Sequence, residues 1–458
     1  MRNTTEKPFG ARDKFGYLFG DFGNDFTFIL STTILMKFYT DLMGVSAAMV
    51  GAVMMIARLA DAFTDVTMGR ICDRSPITPA GKFRPWILRM CVPVALSSFL
   101  MYQSGLSGMP MWAKITYLFV TYILWGSVFY TAVNIPYGSM ASSISPDPAH
   151  RQSLSTYRSM GGTFAGVVIG VLLPLLAYEE IGGVQVLSGS RVTLIAGVFS
   201  LLAVLCYLLC YHLTRERVHA ASQAEPLSTK ALLKSALKSR PLISIIAASV
   251  VMLLAQLTMQ AMAGYVYPQY YNAPAAQSVS TLLMLVSMGI AAAVAKPLAV
   301  RFGKAEVSAV ANVFAVGICL LTWVLRPENV WVYVALQSLS WLALGIFSMV
   351  SWALITDVID DTQCKTGVRA DGSVYALYSF ARKLGQAAAA GISGGLLSLI
   401  GYTEATKNDP AVLEGIFDIA ALVPAIGFAA LALILWLWYP LHKRQVAENV
   451  QKLAQQRQ

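Results

Sequence analysis

Apolar residues fill this chain in long stretches that short polar connections separate. One bilayer crossing takes about twenty apolar residues, so the pattern predicts about twelve transmembrane helices. They are expected at residues 15–42, 46–71, 85–105, 112–143, 158–178, 191–213, 242–266, 277–300, 306–325, 330–357, 373–400 and 414–439. The pattern therefore predicts an all-α integral membrane protein.

One long polar connection divides the predicted spans into six and six, an arrangement expected of two bundles built as repeats. The predicted domains are a six-helix bundle over 1–213, a central loop over 214–241, a second six-helix bundle over 242–440 and a tail over 441–458. Basic turns at Gly81-Lys82 and Gly303-Lys304 occupy matching places in the two halves. Within the loop, Ser228–Lys238 fits either an amphipathic helix at the membrane surface or an ordinary basic linker.

Charged residues are scarce and unevenly placed. They make up 13% of the chain, about half of the share usual in soluble domains. Basic residues concentrate in Arg2–Lys14, Arg70–Arg89 and Arg215–Arg240, whereas the alternate connections have almost none. This positive-inside pattern places the loop, the tail and both termini in the cytoplasm. The net charge of +10 therefore indicates a lipid bilayer as partner, not a nucleic acid.

Arg58, Asp61 and Asp65 interrupt the otherwise apolar stretch Met49–Gly69. Spaced three and four residues apart, they project from one helical face. Each ionised group facing lipid costs about 2.5–3.5 kcal/mol, which is roughly 8–10 kcal/mol for all three. The face must therefore point inward, where the acidic pair can hold one small cation or share a proton.

The first span carries a second acidic pair, Asp21 and Asp25, one helical turn apart. A carboxylate beside the amide of Asn24 and the ring of Phe28 suits the hydroxyls and the apolar face of a sugar. We favour this role for Asp25 over structural pairing with Arg58. Asp21 lies nearer the cytoplasmic end and is assigned no function.

A polar and aromatic stripe follows one face of the fourth span. Its members are Ser127, Tyr130, Thr131, Asn134, Tyr137 and Gly138. Thr131 and Asn134 are candidates to contact a ligand or ion, although ordinary contacts between helices explain such residues equally well. Pro136 and Gly138 are expected to loosen the helix locally.

The eleventh span presents Tyr375, Ser379, Lys383 and Gln386 at helical spacing. A desolvated ammonium at Lys383 needs an anionic or strongly polar partner, such as Asp25 or a carboxylate of the substrate. Arg382 points about 100° away on a helix, so only one of the two basic residues faces a cavity; alternatively, both reach the cytoplasmic surface.

Three acidic residues, Asp357, Asp360 and Asp361, end the tenth span. We interpret them as charges of a cytoplasmic gate that pair with basic loops when the gate closes. A solvated acidic patch is the alternative interpretation. The six cysteines and four histidines show no metal-ligand spacing. No cofactor is expected, and no nucleophile–base pair indicates an enzyme.

Together these residues resemble the glycoside–pentoside–hexuronide:cation symporters, the melibiose and glucuronide carriers of the major facilitator superfamily. The matching segments are Gly20–Asp25, Phe38–Asp41, Ala57–Asp65, Gly81–Trp86, Asn134–Ser139, Thr366–Arg369 and Arg382–Gln386. They follow in order from the first span to the eleventh, so the resemblance covers nearly the whole chain. It implies the major facilitator fold, two pseudo-symmetric six-helix bundles.

The resemblance also implies residue roles. Asp61 and Asp65, assisted by Thr131, would form the cation site. The predicted substrate ligands are Asp25, Asn24, Tyr130, Asn134, Arg158, Lys383, Tyr375 and Gln386, and the predicted structural or gating charges are Arg58, Asp357 and Arg382.

Three departures from the melibiose-type pattern bear on the substrate. Asn24 stands in place of a lysine, Asn134 in place of an aspartate and Gly138 in place of a tryptophan. With one carboxylate fewer and the basic residues kept, the site is less negative. This favours an anionic glycoside, such as a glucuronide or another hexuronide.

The sequence thus predicts a cation-coupled glycoside symporter that works by alternating access as a monomer in the bacterial cytoplasmic membrane. The coupling cation is H⁺ or Na⁺, with Asp61 and Asp65 as the place for Na⁺. A symporter of a neutral pentoside or disaccharide is the first alternative. A drug exporter of the same superfamily is the second, and would be expected to have a more apolar cavity.

Overall fold

The computed structural model describes residues 8–218, 239–366 and 371–456. The predicted amphipathic helix Ser228–Lys238 and residues 367–369 of the family-like segments lie outside the described residues. The structure forms two compact units. Unit 1 comprises Met1–Ala224 with Tyr402–Ala405, and unit 2 comprises Glu225–Gly401 with Thr406–Gln458.

Unit 1 is almost entirely helical. Its helices are α1 (Ala11–Asp41), α2 (Ala47–Arg74), α3 (Arg84–Leu100), α4 (Met111–Ile123), α5 (Thr131–Ile144), α6 (Pro148–Leu176) and α7 (Gly189–Leu213). A π-helical turn, Leu124–Tyr130, joins α4 to α5 in one continuous helix. A short 3₁₀ turn spans Ser104–Leu106.

A small hairpin between α6 and α7 was not predicted. Its strands, β1 (Tyr178–Ile181) and β2 (Val184–Leu187), pair antiparallel with Tyr178 opposite Leu187. Gly182 and Gly183 at the turn both have positive φ, of 61° and 82°. Such a pair is typical of a two-residue type I′ turn, which matches the twist of the strands.

Unit 2 continues the helical pattern. Its helices are α8 (Arg240–Tyr265), α9 (Pro274–Phe302), α10 (Lys304–Leu325), α11 (Val330–Thr366), α12 (Asp371–Leu399), α13 (Pro410–Leu433) and α14 (Lys443–Gln456). Further π-helical turns extend α8 over Val266–Tyr270 and α13 over Ile434–Trp438. The region predicted as a tail thus contains a helix, α14, whose Asn449 donates to Asp361 at 3.2 Å.

Nine helices of the described residues are long and apolar enough to cross a membrane. The remaining predicted spans correspond to α1, α3 and α12, which are shorter or more polar. The predicted all-α membrane fold is confirmed. The largest differences from the predicted limits are at α6, which begins at Pro148 and not at 158, and at α11, which ends at Thr366 and not at 357.

Helix α1 forms the centre of unit 1, between α6 and α7. Glycines on these helices allow the close approach. A Cβ atom at Gly23 would lie 3.1 Å from the carbonyl oxygen of Ala203, and one at Gly161 would collide with the carbonyl of Leu18. Small residues serve the same purpose at helix interfaces in membranes. This packing fixes the position of the acidic residues on α1.

A carboxylate secures the basic turn that precedes α3. Glu216 accepts hydrogen bonds from the backbone amides of Lys82, Phe83 and Arg84 at 2.8–2.9 Å. These are orphan donors at a helix start, where a negative charge is also favoured by the helix dipole. In unit 2, Glu306 likewise accepts from the amide of Lys443 at 3.0 Å.

A large apolar cluster forms most of the core of unit 2, and a second, smaller cluster lies on α9, α10 and α11. The central members of the large cluster are fully buried, among them Ile245, Phe347, Leu354, Tyr378 and Phe428. These residues belong to α8, α11, α12 and α13. The cluster orders the helix that carries Lys383.

Candidate functional site

Asp61 and Asp65 on α2 each accept a hydrogen bond from a hydroxyl of the neighbouring helix. Ser127 Oγ lies 2.5 Å from Asp61 Oδ1, and Thr131 Oγ1 lies 2.9 Å from Asp65 Oδ1. Asp61 and both hydroxyl residues are buried. We call these four residues the oxygen cluster. Carboxylate and hydroxyl oxygens are suitable ligands for a proton or a hard cation.

The π-helical turn explains how both hydroxyls reach α2. Thr131 Oγ1 also lies 3.2 Å from the carbonyl oxygen of Gly126, five residues earlier. A Cβ atom at Gly126 would be only 3.6 Å from Asp61 Oδ1, so the turn runs close to the carboxylate. Such turns are frequent at functional sites. Pro136 and Gly138 were expected to loosen this helix, but the irregular turn, Leu124–Tyr130, ends before them.

Arg58 lies beside the oxygen cluster. Its Nη1 is 3.6 Å from Asp61 Oδ2, and its guanidinium group is 4.6 Å from the centre of the Phe28 ring. Tyr122 and Trp125 enclose it further, at 5.9 and 5.8 Å. Cation–π contacts and one carboxylate therefore hold this charge within the bundle. The geometry fits the predicted counter-charge role and shows no pairing with Asp25.

Asp21, Asp25 and Arg158 form a second charged group, the carboxylate–arginine cluster. Arg158 Nε on α6 donates to Asp21 Oδ1 at 2.9 Å. The carboxylate of Asp25 lies beside Gly162, where a Cβ atom would be 2.6 Å from Asp25 Oδ2 and 3.0 Å from Asp21 Oδ2. The partner of Arg158 is therefore the residue to which the sequence analysis assigned no function.

Asn24 faces other helices of the bundle. Its side chain is 1% exposed, and its Oδ1 accepts from the Tyr207 hydroxyl at 2.8 Å. Its Nδ2 lies 3.5 Å from Asn134 Oδ1, at the limit of a hydrogen bond. Asn24 thus links α1 to α5 and α7, and Asn134 is half-buried at the same level.

Phe28 and Tyr130 extend the aromatic surroundings of Arg58 to α1. Phe28 contacts Arg58 on one side, and its ring lies 5.8 Å from that of Tyr130, roughly parallel to it. Tyr130 also contacts the Trp125 ring at 5.6 Å. A continuous aromatic path thus leads from Arg58, the neighbour of Asp61, to α1, the helix that carries Asp25.

The remaining predicted residues belong to unit 2. Lys383 and Gln386 are half-buried on α12, and the Arg382 guanidinium lies 5.8 Å from the centre of the Tyr378 ring. The side chain of Tyr375 is outside the described residues. Asp357 accepts from Lys304 Nζ at 2.7 and 2.9 Å, so the predicted gate charge pairs with the basic turn of its own unit.

Ser127 and Asp21 are the residues to which sequence reasoning gave no distinct role, and for Phe28 it did not indicate the contact with Arg58. For Ser127 a signal was present, because Ser127 and Thr131 repeat the four-residue spacing of the acidic pair that they contact. The role of Asp21 depends on a partner 137 residues away. No local pattern shows a contact of that kind.

The helical architecture and the charged groups inside it define a polytopic membrane transporter of the major facilitator type. Residues 16–443 match the MFS/sugar transport protein family, and the chain belongs to this family. The predicted family is confirmed, as is the prediction of a transporter and not an enzyme.

Several relatives align over nearly their whole length. The "Uncharacterized symporter YjmB" of Bacillus subtilis is 31% identical, over 98% of this chain and 97% of the relative. The "Glucuronide carrier protein homolog" of Escherichia coli is 30% identical, over 95% and 93%. The "Isoprimeverose transporter" of Lactiplantibacillus pentosus is also 30% identical, over 97% and 92%.

Solved structures support the fold. A bacterial homolog of the human lysosomal transporter Spinster gives a TM-score of 0.72 at 11% identity, over 97% of this chain and 99% of that one. A D-xylose–proton symporter gives 0.59 at 13% identity, over 94% and 96%. At such identities the likeness concerns the fold alone.

Proposed function

We propose that this protein is a symporter that brings a glycoside and a cation, H⁺ or Na⁺, into a bacterial cell by alternating access. One observation carries the proposal. Within unit 1, Arg58 lies 3.6 Å from Asp61 of the oxygen cluster and also contacts Phe28, which follows Asp25 by three residues on α1. We infer that Arg58 and Phe28 link the proposed cation site to the helix that bears the proposed sugar site.

The proposed coupling follows from charge. A cation bound at Asp61 and Asp65 removes the electrostatic repulsion between the two carboxylates. It also weakens the attraction between Asp61 and Arg58, the residue that contacts Phe28. Affinity for the sugar then depends on the cation, and the reverse holds to the same extent. With a neutral glycoside, one net positive charge moves inward and gains about 2.3 kcal/mol per 100 mV, enough for roughly fifty-fold accumulation; with an anionic glycoside, the concentration gradient of the cation supplies the driving force.

An anionic glycoside, such as a glucuronide, is the proposed substrate. Arg158 supplies positive charge in unit 1, Lys383 stays a predicted ligand, and a glucuronide carrier homolog is among the relatives. A neutral pentoside or disaccharide is the second candidate, since an isoprimeverose transporter is equally similar. The charged clusters and the sugar transport family weigh against a drug exporter.

The membrane in question is proposed to be the bacterial cytoplasmic membrane, with both termini on the cytoplasmic side. The basic turns at Lys82 and Lys304 support this orientation through the positive-inside rule. Lys383, Gln386 and Tyr375 stay predicted substrate ligands, and a monomer stays the predicted transport unit.

Uptake by the purified protein in sealed vesicles tests the proposal. Labelled phenyl β-glucuronide and phenyl β-glucoside form a matched pair that differs in one carboxylate. We expect glucuronide to accumulate unchanged when a proton or sodium gradient is imposed, and not when an ionophore collapses it. Vesicles without the protein are the control. Absence of gradient-driven uptake of either compound contradicts the proposal.

The same vesicles separate the two substrate classes by charge movement. One cation entering with a neutral glucoside carries net charge, so an imposed membrane potential drives uptake. One cation entering with a glucuronide carries none, so the potential has no effect at this stoichiometry. If the glucoside competes for uptake and the glucuronide does not, the proposal of an anionic substrate is contradicted.

A further inference from the structure

Asp21 and Asp25 lie close together on the same face of α1. Gly162 on α6 has no side chain, which lets both carboxyl groups lie close above its Cα atom. Arg158 pairs with one of the two, Asp21. The direct hydrogen bond goes to Asp21, and its 2.9 Å length is that of a charge-assisted pair.

The other side of the Arg158 guanidinium is also defined. It lies 5.2 Å from the centre of the Tyr137 ring, close enough for a cation–π contact. Tyr137 is fixed in turn by its stacked neighbour Tyr17, because each hydroxyl donates to the other residue's backbone carbonyl at 2.6 and 3.2 Å. The guanidinium is thus positioned by Asp21 and by a rigid aromatic surface.

Arg158 still has room to bind a further group. Its side chain is 39% exposed, whereas that of Asp21 is 14% exposed. Gly138, on α5, lies where any side chain would contact the guanidinium: a Cβ atom there would be 3.6 Å from Nη1. The arginine is therefore accessible from the side of Gly138 while Asp21 holds its Nε edge.

We propose that Asp21 is a resident carboxylate that an acidic group of the substrate must displace from Arg158, so that Asp21 determines the preference between acidic and neutral glycosides. The inference rests on the proposed function. Competition of this kind lowers the apparent affinity for an acidic ligand by the fraction of time for which the arginine is free. A neutral glycoside can bind Asp25 while the Asp21–Arg158 pair stays intact.

Displacement has a second cost for the acidic substrate. Once released, Asp21 has lost its cation in a half-buried place and lies next to a second carboxyl group, that of Asp25. Asp21 thus weakens the binding of acidic substrates in two ways. Neither effect acts on a neutral substrate. Asp21 acts through Arg158 and is a positioning residue in this sense.

The test is Asp21→Asn, measured in vesicles with the glucuronide and glucoside pair. We expect KM for the glucuronide to fall about tenfold while KM for the glucoside changes less than about twofold, since one competing charge pair is worth a factor of this order. We also expect kcat for the glucuronide to fall, because a tighter substrate leaves more slowly. Asp21→Glu should restore the wild-type KM ratio.

The controls separate this role from a structural one. Asp73→Asn removes an exposed acid at the end of α2 and should leave both KM values unchanged. In an Arg158→Ala background, Asp21→Asn should no longer alter the ratio. If a variant does not transport, binding of the same two glycosides by calorimetry gives the ratio directly.

A glucuronide-to-glucoside ratio that is unchanged in Asp21→Asn overturns the inference alone, as does an equal loss for both substrates. Absence of uptake of both glycosides by the wild-type protein overturns the proposed function and the inference with it.

Discussion

At the scale of single residues, hydroxyl groups complete the acidic pair of α2. Ser127 and Thr131 each satisfy one carboxylate oxygen, and Arg58 Nη1 lies 3.6 Å from Asp61 Oδ2. Because Asp61 has this contact with Arg58, we choose Asp65 for the substitution that tests the cation site.

Asp65→Asn is expected to abolish concentrative uptake of the glycoside. The amide keeps an oxygen for the Thr131 hydroxyl, so the fold is retained, but it cannot take up a proton and holds a cation weakly. Exchange of labelled for unlabelled glycoside should persist. Parallel measurements on Asp73→Asn, which removes an exposed acid from the same helix, should match wild type; full accumulation by Asp65→Asn would contradict the cation role.

Phe28→Leu is expected to reduce the effect of the cation on sugar affinity. Leucine keeps an apolar contact but removes the cation–π interaction with Arg58, worth about 0.5–2 kcal/mol. The measurement is KM for the glycoside with and without saturating cation; the ratio of the two should move towards one. Phe22→Leu alters another stacked aromatic of α1, the partner of Phe26, and should leave the ratio intact.

Sequence alone placed the acidic pair on α2 and paired Thr131 with it through a family resemblance. It could not find the Asp21–Arg158 pair, because a contact between distant residues follows from how closely α1 and α6 approach. That approach depends on Gly161 and Gly162, whose small size is informative only when the neighbouring helix is known.

At the scale of elements, the π-helical turn Leu124–Tyr130 determines which residues of the fourth membrane helix face α2. A regular α-helix with one residue fewer would rotate everything on one side of the turn by about 100°. Ser127 and Thr131 would then no longer face Asp61 and Asp65 together. The turn therefore belongs to the site and is not an incidental irregularity.

Deletion of Val128 tests this element. Its side chain is 44% exposed and is therefore dispensable, whereas its backbone carbonyl accepts from the amide of Thr131 within the turn. We expect the deletion to abolish the rise in melting temperature that saturating Na⁺ or protonation produces in the wild type. The substitution Val128→Ala should leave that rise unchanged. A cation response that survives the deletion would show that the turn is not needed.

Hydropathy predicted the helices well because a stretch of about twenty apolar residues in a bilayer has few alternatives to a helix, which satisfies all its backbone hydrogen bonds internally. It could not predict the π-helical turns, since one extra residue changes the helical period for less than two turns. Nor did it show α14: in KRQVAENVQKLAQQ the apolar positions are few, and the helix packs through Asn449 and Leu453.

At the scale of the whole molecule, the basic turns of the two units share one structural feature, a glycine that lies against a glutamate. Gly81 and Gly303 both have positive φ, of 109° and 105°, and each lies against a glutamate carboxylate, Glu216 or Glu306. The two glutamates come from different places: Glu216 follows α7 in unit 1, whereas Glu306 lies at the start of α10 in unit 2. The sequence repeat at these turns thus has a structural counterpart.

Gly81→Ala and Gly303→Ala are each expected to destabilise the protein by about 2–4 kcal/mol. Both force a side chain into the left-handed region and against a carboxylate. The measurement is the melting temperature in detergent. Gly69→Ala is the matched control, since nothing lies near its Cβ position and alanine favours the helix. Equal stability of Gly81→Ala and Gly69→Ala would contradict this account.

The two glycines around Arg158 differ in how they constrain the evolution of substrate choice. At Gly162 an added carbon would lie 2.6 Å from Asp25 Oδ2, so a substitution there has to displace that carboxylate. At Gly138 the same carbon would make only an ordinary contact with the guanidinium and cover part of it. One base change turns a glycine codon into an alanine codon. A single substitution at Gly138 can therefore change how much of the Arg158 guanidinium group a substrate can contact, without disturbing Asp21 and Asp25.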